Sequence, residues 1–436
     1  MTLAKASTPP LGWNSWDCYG TTVTEHEVIA NAEFMAAHLL VHGWDTIVID
    51  ADWSDPSPRS HGYNESATLA LDEYGRLVPD PARFPSSSGG AGFGPLAARL
   101  HGMGLKLGIH VMRGIPKRAV ELGAPVLGTD VRAGDVADPT NVCEWNPHYL
   151  GLDHSLPGAA AYYRSTAQLY AEWGIDFVKA DDMLWPYQAA DIEAYTAAVE
   201  GVDREIALSL SPGRDLSAAH LEHLRRHTTM WRICDDVWDR WDDVIPNFAR
   251  FARWAPFAGP DGWPDGDMLP LGRIGIRAER GDPRDDLLSP VERRSLVTLW
   301  IIARSPLMIG GDLPSSDPGT IALFTNPGAL AILGASSANR ELIREDPLVV
   351  WGAEGDGARW VAAFNLSDDP LAVALDTRSL GLGPTPGTVT DVWTGAPLET
   401  EPVRVQSNAA RSVAPGSTAL RLTLEAHGCA LLRIDA

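Results

Sequence analysis

The sequence predicts a (β/α)8 barrel followed by a C-terminal antiparallel β-sandwich domain. Residues 1–335 alternate short apolar runs with amphipathic helical patterns eight times over, which is the signature of a parallel barrel. From 336 to 436 the texture changes to short alternating strands separated by Gly, Pro, Asp and Asn, as in a sandwich. A chain of 436 residues with 45% hydrophobic side chains can fill both cores.

In order, strands are predicted over residues 11–15, 46–53, 105–112, 176–182, 206–211, 230–236, 263–269 and 305–312. Helices are predicted over 25–42, 95–101, 158–173, 192–200, 217–227, 241–254 and 290–303, several led by the Ser, Asp or Pro that helix starts favour. Gly, Pro and Asp interrupt the first and seventh strands, and a doubly wound open sheet is the competing topology. Segment 113–157 has no strong periodicity and carries Cys143, Glu144 and Trp145. Loops of that length are commonly functional covers, so it is expected in the pocket wall. In the C-terminal part, strands are predicted over 348–351, 359–365, 371–375, 389–393, 419–424 and 430–434.

Charge narrows the partners. Against 35 basic residues stand 57 acidic ones, a net charge of −22 without any Lys/Arg-rich run, so nucleic acid and anionic membranes would be repelled. The first residues lack the apolar stretch of an export signal and no later segment is long enough to span a bilayer, which predicts a cytoplasmic location. Cys18, Cys143, Cys234 and Cys429 are far apart, with no CxxC pair, and are expected as free thiols. The oligomeric state is open, a homo-oligomer included.

The chemistry appears when the strand ends are lined up. They carry Trp13 and Trp16, then Asp50, Asp52 and Trp53, then His110, Lys179 with Asp181, Ser211, Arg232 with Asp235 and Asp236, and finally Asp265 and Asp267. Indole faces cover the apolar side of a sugar ring while carboxylates accept its hydroxyl hydrogen bonds. Cleaving a glycosidic bond requires two carboxyl groups in opposite protonation states. Asp181, next but one to Lys179, would be held ionised as the nucleophile, and Asp236, beside Asp235, would keep the proton to be donated. Each signal also has a plainer reading: an Asp at a strand end is often a cap, Trp13 and Trp16 could fill the core, and Lys179 with Asp181 could be a structural ion pair. Cys143 and Cys234 have no feature that would activate a thiol. It is the coincidence of compatible groups on independent strands that favours a sugar site.

Six motifs then carry a resemblance. The runs Pro10-Leu-Gly-Trp-Asn-Ser-Trp16, Gly43-Trp44 to Asp50, Phe177-Val-Lys-Ala-Asp181, Trp231-Arg-Ile-Cys-Asp-Asp236, Trp263-Pro-Asp-Gly-Asp-Met-Leu269 and Ser305-Pro-Leu-Met-Ile-Gly-Gly-Asp-Leu313 are similar to those of glycoside hydrolase family 27, which contains α-galactosidases and α-N-acetylgalactosaminidases. The resemblance implies retaining hydrolysis of an α-linked, galactose-like sugar without metal or organic cofactor, with Asp181 as nucleophile and Asp236 as acid/base. It implies sugar contacts by Trp16, Asp50, Lys179 and Arg232, with His110 where the family places an aromatic residue. Asp52, Cys143, Trp145, Ser211 and Asp267 complete the candidate substrate-binding set.

This chain departs from the family pattern in three places, one of them the loop 113–157, which is longer than usual and brings Glu144 and Trp145 toward the neighbouring subsite. Two adjacent acids normally hold the O4 and O6 hydroxyls, whereas here Asp50 is followed by Ala51 and the next acid is Asp52. Near O2, where a Glu or Cys is usual, stands Leu210-Ser211-Pro212-Gly213. An α-galactosidase is the leading expectation; isomaltodextranase, β-L-arabinopyranosidase and α-N-acetylgalactosaminidase are the alternatives within the family. A metal-dependent barrel enzyme binding magnesium through Asp50, Asp181 and Asp236, or a catalytically silent sugar-binding protein, are the readings outside it.

Overall fold

The computed structural model describes residues 3–382, 387–399, 401–402 and 418–435. Among these, eight parallel strands follow one another around a curled sheet: β1 (Leu11–Asn14), β2 (Thr46–Ile49), β3 (Lys106–Met112), β4 (Phe177–Asp181), β5 (Ala207–Leu210), β6 (Met230–Arg232), β7 (Trp263–Asp265) and β8 (Leu307–Ile309). β8 pairs with β1 through Leu11 and Leu307. A parallel bridge between Leu269 and Ile309 closes the ring: Leu269 N donates to Met308 O at 2.7 Å and Gly310 N to Leu269 O at 2.9 Å. Strands buried on both faces need continuous apolar runs, and Ile47, Val48 and Ile49 of β2 are at most 1% exposed.

All the barrel strands but β3 end earlier than the sequence predicts, three of them for a local reason. Asp52, Asp182 and Asp267 adopt φ of 61°, 60° and 85°, so the backbone turns left-handed just beyond β2, β4 and β7. Among residues with a Cβ, Asp and Asn tolerate that region best. The apolar runs therefore stop in buried acidic corners at the carboxyl ends of the strands.

Helices alternate with the strands: α1 (Glu25–His38), α2 (Gly94–Gly102), α3 (Pro157–Trp173), α4 (Ala189–Glu200), α5 (Leu221–His227), α6 (Trp241–Trp254), α7 (Pro290–Ile302) and α8 (Pro318–Thr325). Thr24 and Glu27 form a capping box on α1, as Ser289 and Glu292 do on α7. α1 stops four residues before its predicted end, because residues 40–42 tighten into a 3-10 turn that Gly43 ends at φ 95°. Segment 113–157 is more ordered than its sequence suggests: Ile115–Pro116, Tyr149–Leu152 and Ala137–Asp138 form a small antiparallel sheet. No helix among the described residues is long and apolar enough to cross a membrane.

By contacts the chain forms two compact units, one of residues 1–238, 259–286 and 306–321, the other of 239–258, 287–305 and 322–436. In the second, β9 (Ser336–Glu345), β10 (Leu348–Gly355), β11 (Ala358–Asn365), β12 (Leu371–Asp376), β13 (Val389–Asp391), β14 (Pro397–Leu398), β15 (Glu401–Pro402), β16 (Thr418–Leu424) and β17 (Cys429–Asp435) build two antiparallel sheets. The larger runs β9-β10-β11-β17-β13-β14 and the smaller β12-β16-β15. Their core includes Val350, Val361, Leu375, Leu420, Leu432 and Ile434. β9, whose sequence SSANRELIRE lacks an apolar alternation, is a strand that the sequence reading does not contain. α6 and α7 pack in this unit, Phe248 against Phe364 at 5.0 Å between ring centroids and Trp393 Nε1 donating to Thr298 Oγ1 at 3.0 Å.

Candidate active site

The carboxyl ends of the barrel strands surround a cavity of about 380 Å3. Its wall includes Trp16, Asp50, Lys179, Asp181, Ser211, Arg232 and Asp236 from the strand ends, with Glu144 and Trp145 from segment 113–157. Trp13 is fully buried and donates through Nε1 to Gly311 O at 2.9 Å, so of the two tryptophans in the first motif Trp13, on β1, is core and Trp16, just beyond it, faces the cavity.

Asp181 ends β4 with both oxygens engaged. Ser211 Oγ donates to Oδ1 at 2.8 Å, the Asp182 amide donates to Oδ1 at 2.9 Å, and His110 Nε2 lies 3.2 Å from Oδ2. Register brings these together, since His110 on β3 is level with Lys179 on β4. Burial alone would raise the proton affinity of this carboxyl, but the His110 bond and charge, the Lys179 charge and the Asp182 amide outweigh it and hold the pKa well below the usual range.

Lys179 was expected to pair with Asp181, yet its direct partner is Asp50. Lys179 Nζ sits 2.8 Å from Asp50 Oδ2, which also accepts from Asn14 Nδ2 at 2.7 Å, while Oδ1 accepts from the Ala51 amide at 2.8 Å. Alternation along β4 puts residues 179 and 181 on one face, and Asp50, just past the end of β2 and across β3 from β4, is the carboxylate in contact with the ammonium. Burial would strip the proton from Lys179, but Asp50 and Asp181 keep its pKa raised; Asp50, despite its burial, is lowered by Lys179 and His110. The cluster is a cation held between two acids, not a lone pair closing the barrel.

Arg232 forks between two carboxylates, with Nη1 2.6 Å from Asp267 Oδ1 and Nη2 3.2 Å from Asp236 Oδ1. Asp236 is 36% exposed through its side chain, open to whatever fills the cavity. Asp235 also lines the cavity, 56% exposed and 3.9 Å from Arg214, so the charge in contact with Asp236 is the Arg232 cation, not Asp235 as the doublet suggests. Asp267 is buried under Arg232, and its pKa is pushed up to about 7 by burial, with the Asp236 charge adding and Arg232 opposing. The three magnesium-ligand candidates are thus each occupied by this chain's own donors: Asp50 by Lys179, Asp236 by Arg232, and Asp181 by Ser211 and the Asp182 amide.

Four sequence-predicted contacts stand behind the wall and not on it: Asp52, His110, Cys143 and Asp267. Asp52 is buried at its left-handed corner, and its backbone carbonyl accepts from Arg83 Nη1 at 2.7 Å. Cys143 bonds Asp182, and burial pushes its thiol up to about 12. Sequence reasoning missed Tyr63, Trp185, Arg214 and Glu279, which do line the cavity. Tyr63 and Trp16 lie 6.1 Å apart between ring centroids, and Glu279 accepts from Trp16 while burial and the Asp236 charge raise its pKa. Those four sit on loops without periodicity, where the aromatic and charged character of HGYN and IRAERGD is the signal available.

An ionised, fully bonded carboxylate thus shares a cavity with a more open carboxyl, a lysine, an arginine and indole faces, the equipment for glycosidic cleavage. Comparison with known proteins agrees. The family model described as α-galactosidase A matches residues 152–334, and the α-galactosidase C-terminal β-sandwich model matches 345–434. The β-L-arabinopyranosidase of Geobacillus stearothermophilus, a family 27 enzyme solved with arabinose, is 41% identical over 99% of this chain and 98% of its own, with a TM-score of 0.93. This chain belongs to glycoside hydrolase family 27. Other similar proteins are a candidate α-N-acetylgalactosaminidase of Bacillus halodurans, at 38% identity with full coverage of both chains and a TM-score of 0.86, and α-galactosidase 3 of Arabidopsis thaliana, at 27% over 400 residues, 89% of this chain and 76% of that one. As a family 27 member the chain is a glycoside hydrolase.

Proposed function

We propose that this family 27 enzyme is a retaining exo-glycosidase for terminal sugars of α-D-galactopyranosyl configuration, with Asp181 as nucleophile and Asp236 as acid/base. The observation that carries the reading is the Asp181 carboxylate, held ionised by His110, Lys179 and the Asp182 amide and hydrogen-bonded by Ser211, at the wall of the cavity that Asp236 shares. A carboxylate oxygen of Asp181 attacks the anomeric carbon as the glycosidic C–O bond breaks, and the proton of Asp236 goes to the departing oxygen. The resulting glycosyl ester is cleaved when Asp236 takes a proton from water, whose oxygen attacks the same carbon and releases Asp181. Asp50 and Lys179 accept from and donate to ring hydroxyls, and the Trp16 indole covers the apolar face.

The α-galactoside is the leading substrate. A specific observation favours a second: Ala51 stands where the family has an acid, and Asp52 does not reach the wall. A β-L-arabinopyranoside has the same ring configuration without the C6 hydroxymethyl, so it needs no partner there, and the arabinopyranosidase of Geobacillus stearothermophilus shares 41% identity. A cytoplasmic location accords with four free cysteines, and cell fractionation tests it.

Aryl α-D-galactopyranoside and aryl β-L-arabinopyranoside are compared by kcat/KM, with NMR following the anomer first released. Retained configuration is expected, and Asp181→Ala should lower kcat by about 10^4-fold or more, with azide restoring turnover as a glycosyl azide of inverted configuration. Initial release of the inverted sugar by the wild type, or wild-type rates in Asp181→Ala, would remove the mechanism. The ratio of the two kcat/KM values decides the glycone.

A further inference from the structure

Away from the cavity, His223 and His227 sit one turn apart on α5, and α4 carries Glu193. One donor atom from each of Glu193, His223 and His227 lies within 4.8 Å of the other two. His223 Nε2 is 3.2 Å from Glu193 Oε1. Two ligands each bound at about 2.0–2.1 Å to a tetrahedral ion are separated by about 3.3 Å, so this pair already stands at bridging distance.

The remaining contacts prepare the site as well. The second ring nitrogen of His223, Nδ1, is 2.6 Å from the Tyr187 hydroxyl, which leaves Nε2 as the ligand nitrogen and fixes the ring, as the outer partners of metal-bound histidines do. Tyr187 in turn stacks on His220, centroids 3.7 Å apart and planes 8° from parallel. The His227 ring lies 4.5 Å from that of His223 between centroids, and its Nδ1 is buried with no hydrogen-bond partner. A buried nitrogen in that state is unfavourable unless something binds it.

We propose that Glu193, His223 and His227 form a binding site for a divalent transition-metal ion of the zinc type, clasping α4 to α5, with water in the fourth position. Two imidazoles and one carboxylate suit zinc and disfavour magnesium or calcium, which prefer all-oxygen shells. The ion takes no part in the glycosidase reaction. Its reach toward the active site is through Tyr187, two residues from the cavity-wall Trp185, so occupancy stiffens the segment that follows β4.

The test uses full-length, tag-free protein stripped with chelator and titrated with zinc chloride by calorimetry, with thermal unfolding alongside. One equivalent should bind with micromolar affinity and raise Tm, with magnesium showing no saturation at the same concentrations. Tyr187→Phe should weaken zinc by about 10-fold to 100-fold, and His227→Ala or Glu193→Ala by at least as much. Because Glu193 is 60% exposed through its side chain, the Glu193→Ala variant keeps its fold, which circular dichroism verifies. No saturable zinc binding by the wild type, equal affinity in Glu193→Ala, or magnesium binding as tight as zinc would each overturn the site.

Discussion

Replacing Asp52 by Asn isolates the cost of one buried carboxyl group and asks whether it serves the sugar. Asp52 is 6% exposed, its Oδ2 has no hydrogen-bond partner, and its φ of 61° is a conformation Asn adopts at least as readily. Burial, and then the Asp55 charge, push its pKa from 3.8 to about 7 against the pull of His110 and Arg83. The native state therefore keeps a proton that the unfolded chain has lost, and this group's contribution to stability is full below about pH 4 and falls away as pH rises to about 7. Roughly three pKa units at about 1.4 kcal/mol each give about 4 kcal/mol over that window, of which about 3 kcal/mol falls between about pH 5 and about pH 8. Asn keeps the shape without the titration. The unfolding free energy of the variant, measured in urea by tryptophan fluorescence, should gain about 3 kcal/mol on the wild type across that interval. KM for an aryl glycoside should not change, because Asp52 is not part of the cavity wall. A pH-independent difference together with a tenfold rise in KM would refute the reasoning and make Asp52 the sugar's second acid after all.

Three further outcomes follow from the same geometry. Lys179→Met leaves Asp50 buried without its cation and should cost about 3–5 kcal/mol at neutral pH; Lys179→Met with Asp50→Asn should recover much of it, and strictly additive losses in urea would count against the pairing. Arg232→Lys cannot span Asp267 and Asp236 at once and should lower kcat/KM by about 10-fold to 100-fold, more for alkyl than for nitrophenyl leaving groups; an equal loss across a leaving-group series would separate Arg232 from proton donation. Trp185→Ala, half exposed on the cavity wall, should raise KM for a disaccharide by about threefold to tenfold and leave Tm unchanged, so an unaltered KM would take it out of the substrate's path.

What could be read in advance follows from where the information lies. Strands and helices of the barrel are written in local periodicity, and α6 coincides with its predicted limits because Trp241 to Trp254 repeats an apolar face every turn. The strand-end residues Asp50, Lys179, Asp181 and Arg232 were legible because a parallel barrel delivers its carboxyl ends to one rim. Partner choice was not. That Lys179 takes Asp50, and that Asp236 meets Arg232 and not Asp235, depends on the register between strands and on the left-handed corners at 52, 182 and 267. Tyr63 and Glu279 reach the cavity on loops whose paths are set by tertiary packing, and β9 is a strand by pairing with β10 despite its polar sequence.

The interleaving of the two compact units bears on how this enzyme can be cut and recombined. The polypeptide crosses between them at 238/239, 258/259, 286/287, 305/306 and 321/322. α6 and α7, encoded between barrel strands, place part of each face on β-sheet synthesised after them: Glu292 waits for His427 and Phe248 for Phe364. A nascent chain halted after residue 335 would hold every barrel strand and still leave the Phe248 ring and the Glu292 carboxylate without these partners. Grafting a foreign C-terminal module at that point would therefore have to recreate two helix faces, and the natural unit of exchange is the whole chain.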